Sequence, residues 1–536
     1  MNTIMNISER TKVILAIFFL VVASLFSSCD LTRKPTDSLS KEESLLNFDD
    51  AVVFNKGVMA QFRNRQGGNF VSPQEYQADC VNASADFGNR SGLLHGWEEL
   101  TASDGTFATV YQWYYSTLKN VNFTLEEYPK VIESLNKELG EANSDKEKED
   151  IEYKILGVNL FMGGSYFARA FYYYNLMLRF GDPYKAASAA TDLGVPLVLS
   201  YDVAARITRA SVKECYEQIF KDLDTAEGML KYRNPKPGNS EFTVDAVTAL
   251  RARVYLEMKE YDKAYAQANK LIAKGTYPLV PPTEKAFENM WVYDTSTEDI
   301  LILYIQKPDE LPYGMGSYYA LNRTEHYHSP DFYPTQAIID LYEDNDLRKG
   351  YYFYVAPVAR ISGKDYKSEI TLISKFKGNP LYASITDDPV YGAVPNGAHR
   401  PKVFRMAEQY LIAAEAAYFS GKDALKPLNA LRASRGLEPV NSSGGALLKD
   451  IQNERLRELA FEGFRLWDLR RWNLPVKRSK PQDVKTKSDF SDYLAGGYYD
   501  LEIKTNDKLY LKTTWAIPQR EVNVYGEENM PQNPGW

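Results

Sequence analysis

A mostly α-helical protein is the expectation from this sequence. About four scattered helical hairpins of tetratricopeptide type form a scaffold, capped by long, irregular, loop-rich segments with minor β structure. Three observations carry that expectation. Residues 244–259 and 261–274 place Ala252, Tyr255, Ala264 and Ala268 at the spacing of two antiparallel helices in close approach. Residues 402–419 and 423–435 repeat the plan with Ala414 and Ala424 about a Ser420-Gly421 turn. Regular strand–helix alternation does not occur along the chain, which argues against a doubly wound sheet.

Taken in order, the chain opens on a leader. Arg10 and Lys12 precede an apolar run ending at Phe26, and Ser27-Ser28 lead into Cys29, the pattern of a secretory signal too short to span a bilayer comfortably. Leu25-Phe26-Ser27-Ser28-Cys29 resembles a bacterial lipoprotein box, so residues 1–28 are expected to be removed and Cys29 to carry lipid. The polar stretch from Asp30 to Ser40 then reads as a tether. Two further hairpins are drawn on weaker patterns, one joining 39–62 to 106–128 and one joining 151–180 to 212–231. Small residues at 252 and 264 let helices approach, while Tyr255 fills the space between hairpins. Residues 67–106, 181–211 and 278–400 interrupt the frame as long aromatic-bearing insertions, where binding sites concentrate.

Composition narrows the function. Without Arg10, Lys12 and Glu9 of the leader, the chain has 61 basic and 70 acidic side chains, a formal charge of −9. No cluster of Lys and Arg forms a phosphate-binding stripe, so nucleic acid is not an expected partner. With 44% hydrophobic residues the chain can bury a large core. Cys80 and Cys215, the thiols besides Cys29, read as buried and free rather than as a disulfide framework. Tyrosine is abundant, 39 against 25 Phe and 7 Trp, and its flat apolar face with a polar edge suits both helix packing and wet recognition surfaces.

Three segments carry a family resemblance. Gly164-Ser165-Tyr166-Phe167-Ala168-Arg169-Ala170-Phe171-Tyr172-Tyr173-Tyr174-Asn175-Leu176 runs on to Arg179-Phe180-Gly181-Asp182-Pro183. The segment from Asn453 to Trp472 contains Glu454-Arg455, Glu458-Leu459, Phe461-Glu462-Gly463 and Asp468-Leu469-Arg470-Arg471-Trp472. The tail contains Trp515-Ala516-Ile517-Pro518 and closes on Asn533-Pro534-Gly535-Trp536. With the lipoprotein box, these resemble in order the signatures of SusD/RagB-type outer-membrane nutrient-binding lipoproteins. The resemblance implies an N-terminal region over 29–280 with hairpins and a C-terminal region over 281–536 with ligand-binding loops and the last hairpin.

Residues 453–472 are expected to form a helix whose Leu456, Leu459 and Trp467 make an apolar stripe beside the pairs Glu454 with Arg457, Glu462 with Arg465, and Asp468 with Arg471. Carboxylates alternating with arginines are paired and ionised, which suits architecture rather than proton transfer. His326-Tyr327-His328 alternates as a strand-borne metal pair would, but a metal site needs more ligands, and the wet-surface reading is preferred. No phosphate loop, nucleophile elbow or HExxH motif is present. No catalytic residue, metal or cofactor is therefore expected.

The binding candidates lie in 70–97 and 291–333. Trp97, Asp86, Asn89 and Arg90 in the first, and Trp291, Tyr293, Tyr319, Arg323, His326 and Tyr327 in the second, interleave flat aromatics with short polar groups. A sugar ring needs that combination: an aromatic plane for its C–H face and bidentate hydrogen bonds for its hydroxyls. The resemblance implies a non-catalytic, lipid-anchored, surface-exposed outer-membrane protein that captures a glycan and delivers it to a SusC-like, TonB-dependent transporter. Capture of oligopeptides, as in the RagB branch, and a helical adaptor that binds no solute are the alternatives. The tether departs from the family pattern, since Asp30-Leu31-Thr32-Arg33-Lys34 lacks the strongly acidic stretch associated with surface export.

Overall fold

The computed structural model describes residues 44–84, 92–97, 99–202, 207–306, 310, 321–322, 327–361, 363–366, 369–383, 386–390, 392–479, 482 and 501–536. The leader, Cys29 and the tether lie outside this set.

Side-chain caps start the first five of the long helices. In α1 (Phe48–Arg63) Asn47 and Asp50 form a reciprocal capping box. α2 (Gly105–Glu141) is capped by Asp104, whose Oδ1 accepts from Thr106 N at 2.8 Å. Only residues 142–144 separate it from α3 (Asp145–Phe180), which Ser144 caps. α4 (Val212–Leu230) opens on a Ser211–Glu214 capping box, and α5 (Val244–Glu257) on Thr243. α6 (Tyr261–Lys274) ends on Gly275 at a φ of 68°, the left-handed conformation glycine adopts without strain. α7 (Met406–Phe419), α8 (Leu425–Ser434), α9 (Gly444–Leu459) and α10 (Arg465–Trp472) complete the frame.

The helical pattern expected to stop at Tyr128 instead continues through Pro129 to Glu141. Proline lacks an N–H and disfavours a helix interior, but here Phe123, Tyr128, Val131 and Leu135 bury against Ile151, Val158 and Met162. That packing on both sides of Pro129 outweighs the local penalty. As a result α3 lies between α2 and α4, with α1 laid across α2 and α3.

The 244–274 hairpin forms as expected, and the 402–435 hairpin forms with one change. Residues 402–405 are a strand, Lys402–Arg405, paired antiparallel with Asp299–Ile302. The two hairpins stack directly: Ala252, Ala264 and Ala268 bury against Ile412, Ala413 and Ala416. On the far side of α7, Ala414 and Ala417 meet Ala424, Leu428 and Ile451. Tyr255 stacks on Phe220 of α4 at 4.6 Å, filling the gap between hairpins. Helices scattered in sequence are thus neighbours in space.

Strands among the described residues form two-stranded ribbons that tie insertions together. Val81–Ala83 pairs antiparallel with Phe332–Pro334, placing Asn82 opposite Tyr333. The tail locks the N-terminal half: Trp515 N donates to the Arg179 carbonyl at 2.6 Å, and Asn533 Nδ2 donates to the carbonyls of Phe180 and Trp515. Two of the signature segments therefore meet each other, and described residues from both halves of the chain share one apolar core.

Residues 453–472 are two helices rather than one. Between α9 and α10, Phe461 sits at a φ of 66° and Gly463 at 85°. A Cβ at Gly463 would lie 2.7 Å from Gln74 Nε2, so both backbone angle and space call for glycine. The break turns Glu462 away from Arg465 and onto Lys375 and Arg405, each at 2.6 Å. Arg465 pairs instead with Asp79 at 2.7 Å. The Glu454–Arg457 and Asp468–Arg471 pairs form as expected, both at 2.7 Å. Cys80 and Cys215 are buried and free.

Candidate ligand-binding site

Of the ten sequence-derived candidates, Asp86, Asn89, Arg90, Tyr319, Arg323 and His326 lie outside the described residues. Tyr327 stands in the two-residue strand Tyr327–His328, opposite Asn322. The ribbon of Val81–Ala83 with Phe332–Pro334 does bring the two candidate segments side by side. Its aromatics, however, form core: Tyr76 stacks on Phe332 at 4.0 Å, and the buried His95 ring meets the same phenylalanine edge at 5.4 Å.

Two tryptophans expected on an exposed platform are interior. Trp97 follows the short helix Gly92–Gly96 with a φ of 67°, which turns its indole inward. Its Nε1 donates to the Gln77 carbonyl at 3.0 Å, and no face is left for a ligand. Trp291 is buried as well; Lys375, Lys402 and Arg405 place their charges 4.9, 5.5 and 5.1 Å from its ring centroids, an electrostatic attraction to the π face. Tyr293 is half-buried, with the Lys285 ammonium 5.4 Å from its ring.

Trp291 is instead one wall of a cavity that the sequence did not foreshadow. Its lining is drawn from the turn after α1, from α3, α5, α9 and α10, and from residues 399–403. The cavity encloses about 130 Å³, room for several water molecules. Phe70, Phe171, Tyr174, Phe376, Phe464 and Trp467 supply further walls. Its carboxylates are committed: Asp294 to Lys402 at 2.6 Å, Glu462 to Lys375 and Arg405, and Asp468 to Arg455 and Arg471. Burial pushes His399, beside Phe376, below the ordinary histidine range.

Near one end of this lining, two aromatics are exposed. Trp113 on α2 is 50% exposed and carries the Arg65 guanidinium 4.8 Å from its ring centroid. Tyr304 is 58% exposed, and its carbonyl accepts from Arg63 Nη1 at 2.9 Å. Arg65 thus covers the first ring, and Arg63 holds the backbone of the second. The signal for Trp113 was present in the sequence: with Gln112 it falls off the apolar stripe formed by Phe107, Val110, Tyr111 and Tyr114.

Below this region, Glu75 Oε1 accepts from Gly463 N at 2.6 Å. Burial pushes its carboxyl up from the ordinary 4.5 to about 7, against the backbone N–H groups of Gly463 and Arg465, which favour the charged form. The folded protein therefore holds a proton that the unfolded chain has released above pH 4.5. This group's contribution is complete below that pH and is lost as pH rises through about 7. Glu75→Gln, which fixes the uncharged form, is expected to raise the thermal midpoint at pH 8 and change it little at pH 5. Melting curves across that interval check this, and an equal shift at both ends would contradict it.

An α-helical hairpin frame carrying long aromatic insertions, closed by its own C-terminal tail, defines the architecture. A SusD family model matches residues 373–536, and a second SusD-like model, described as starch-binding associating with outer membrane, matches residues 34–256. The chain belongs to the SusD/RagB family. It is 24% identical over 533 residues to SusD-like protein P38 of Formosa agariphila, covering 87% of this chain and 93% of that one. Among solved structures, a SusD superfamily protein from Bacteroides thetaiotaomicron aligns at a TM-score of 0.68 and 23% identity, over 91% of this chain and all of the other. A laminarin-binding SusD-like protein aligns at 0.61 and 20% identity, also over 91% of this chain and all of the other. No helix among the described residues is long and apolar enough to cross a membrane.

Proposed function

We propose that this protein is a lipid-anchored glycan-binding protein of the outer membrane that captures an oligosaccharide and passes it, uncleaved, to a SusC-like TonB-dependent transporter. The observation that carries the reading is that models of one family match both halves of the chain, one of them described as starch-binding associating with outer membrane. A structural relative that binds laminarin supports a carbohydrate as the ligand class.

The physical arrangement suits capture rather than turnover. The carboxylates of α9 and α10 are held ionised by arginines, so they are poor proton donors and acceptors near neutral pH. Binding then rests on stacking and hydroxyl hydrogen bonds at the surface. Trp113 and Tyr304 supply exposed rings with Arg63 and Arg65 beside them. Asp86, Asn89, Arg90, Tyr319, Arg323 and His326 remain proposed contacts from the insertions. Cys29 is the proposed lipid attachment point, and 29–280 and 281–536 the proposed regions.

Native gels cast with laminarin or starch test the reading. The chain beginning after Cys29 is expected to be retarded in at least one of them, and Trp113→Ala and Tyr304→Ala to run faster there while matching wild type in a plain gel. Unretarded migration in both polysaccharides would count against these ligands.

A further inference from the structure

Three arginines lining the cavity, Arg65, Arg179 and Arg400, have no carboxylate partner among the described residues. Arg179 is 2% exposed and spends its donors on neutral oxygens: Nη1 on the carbonyl and Oδ1 of Asn175, and Nη2 on the Phe70 carbonyl. Its Nε has no partner. Arg65, 8% exposed, stacks over Phe70 at 5.0 Å and over Trp113, and its Nε is likewise unpartnered. Arg400 donates to the carbonyls of Ile302 and Leu303. Arg455, 2% exposed, bonds Asp468 through Nε but leaves Nη1 without a partner.

Arg65 and Arg179 both approach Phe70, one over its ring and one on its carbonyl, while Asp294 and Glu462 are bound to Lys402, Lys375 and Arg405, and Asp468 is shared by Arg471 and Arg455. A buried guanidinium without a counter-charge is strongly unfavourable. Guanidinium forks match the geometry of planar and tetrahedral oxyanions, and such charge-assisted hydrogen bonds are the strong class.

We infer that this cavity is an oxyanion site in which Arg179, Arg65 and Arg455 hold a carboxylate, sulfate or phosphate group. The inference goes beyond surface glycan capture, since Arg179 and Arg455 are interior groups and only Arg65 also touches the exposed Trp113. The anion has two sources, a free inorganic ion or the acidic substituent of a sugar.

Isothermal titration separates them, with sulfate, phosphate, D-glucuronate and D-glucose injected at matched ionic strength. Saturable heat with sulfate or phosphate alone assigns a free anion. Saturable heat with glucuronate and none with glucose assigns the acidic group of a sugar, and both outcomes support the site. Arg179→Gln is expected to weaken that binding at least about tenfold, the effect of losing one charge-assisted hydrogen bond. Should that variant not fold, Arg65→Gln, nearer the surface, carries the same test. Selenate diffused into crystals is expected to give an anomalous peak beside Arg179 Nε. Absence of saturable heat with every anion, or unchanged affinity in a folded variant, would overturn the site.

Discussion

Glu458→Gln is expected to lower folding stability by about 3–5 kcal/mol, the range for removing one charge from a buried ion cluster. Glu458 is fully buried at the end of α9 and accepts from three arginines: Arg405 at 2.6 Å, Arg435 at 2.9 and 3.0 Å, and Arg348 at 3.0 Å. These come from three separate parts of the chain. Arg348 also holds Asp346 and Glu454, and Arg435 also holds Glu298. The amide keeps the shape but leaves buried guanidinium charge uncompensated.

Burial alone pushes the Glu458 carboxyl up; Arg435, Arg405 and Arg348 reverse this and hold it well below the ordinary 4.5. A depressed pKa gives stabilisation that is present above 4.5 and lost as pH falls through the folded-state value. The variant is therefore expected to show a lower urea midpoint at neutral pH and a shallower loss of stability on acidification. An unchanged midpoint would mean that the cluster is not what fastens α9 to residues 346–348, α7 and α8.

Trp515→Ala is expected to cost about 3–5 kcal/mol as well, the usual range for truncating a buried aromatic to alanine. Trp515 is fully enclosed between Phe107 of α2, Phe180 of α3 and Trp467 of α10, with ring centroids 5.2, 5.8 and 6.1 Å away. Its Nε1 donates to Gln77 Oε1 at 2.6 Å. The Arg179 guanidinium lies 5.6 Å from its ring centroid. Truncation opens a cavity at the point where the tail closes on the N-terminal half. Trp515→Phe, which keeps most of the volume and loses the hydrogen bond, is expected to lie between the two in urea melts. Phe and Ala variants melting together would assign the effect to the indole N–H rather than to packing.

The parts of the fold that were legible in the sequence are those written in local spacing. Small residues at 252, 264 and 414 mark close helix approach without reference to anything distant. The helix runs past residue 128 because tertiary packing on both sides of Pro129 outweighs that residue's local cost. The stacking of α6 on α7 was hidden because alanine faces have no complementary chemistry to read. The break at Phe461–Gly463 was hidden because the residues packed against Gly463, Gln74 and Val71, are nearly four hundred positions away. For the site, the residue types were chosen by chemistry, but exposure depends on backbone direction. A left-handed φ at Trp97 puts a plausible platform residue into the core. The cavity draws on seven stretches of chain, and no local pattern announces such a meeting.

The central claim, that this chain captures a glycan and leaves it whole, is tested most directly by calorimetric titration of the chain beginning after Cys29. Laminarin and starch oligosaccharides, other plant and microbial glycans, and mixed oligopeptides are the ligands, each recovered afterwards for mass analysis. Saturable binding to at least one glycan, weakened by Trp113→Ala and with the ligand recovered at its original length, is the expected result. Binding confined to oligopeptides, silence toward every glycan, or a glycan recovered in shorter pieces would contradict it.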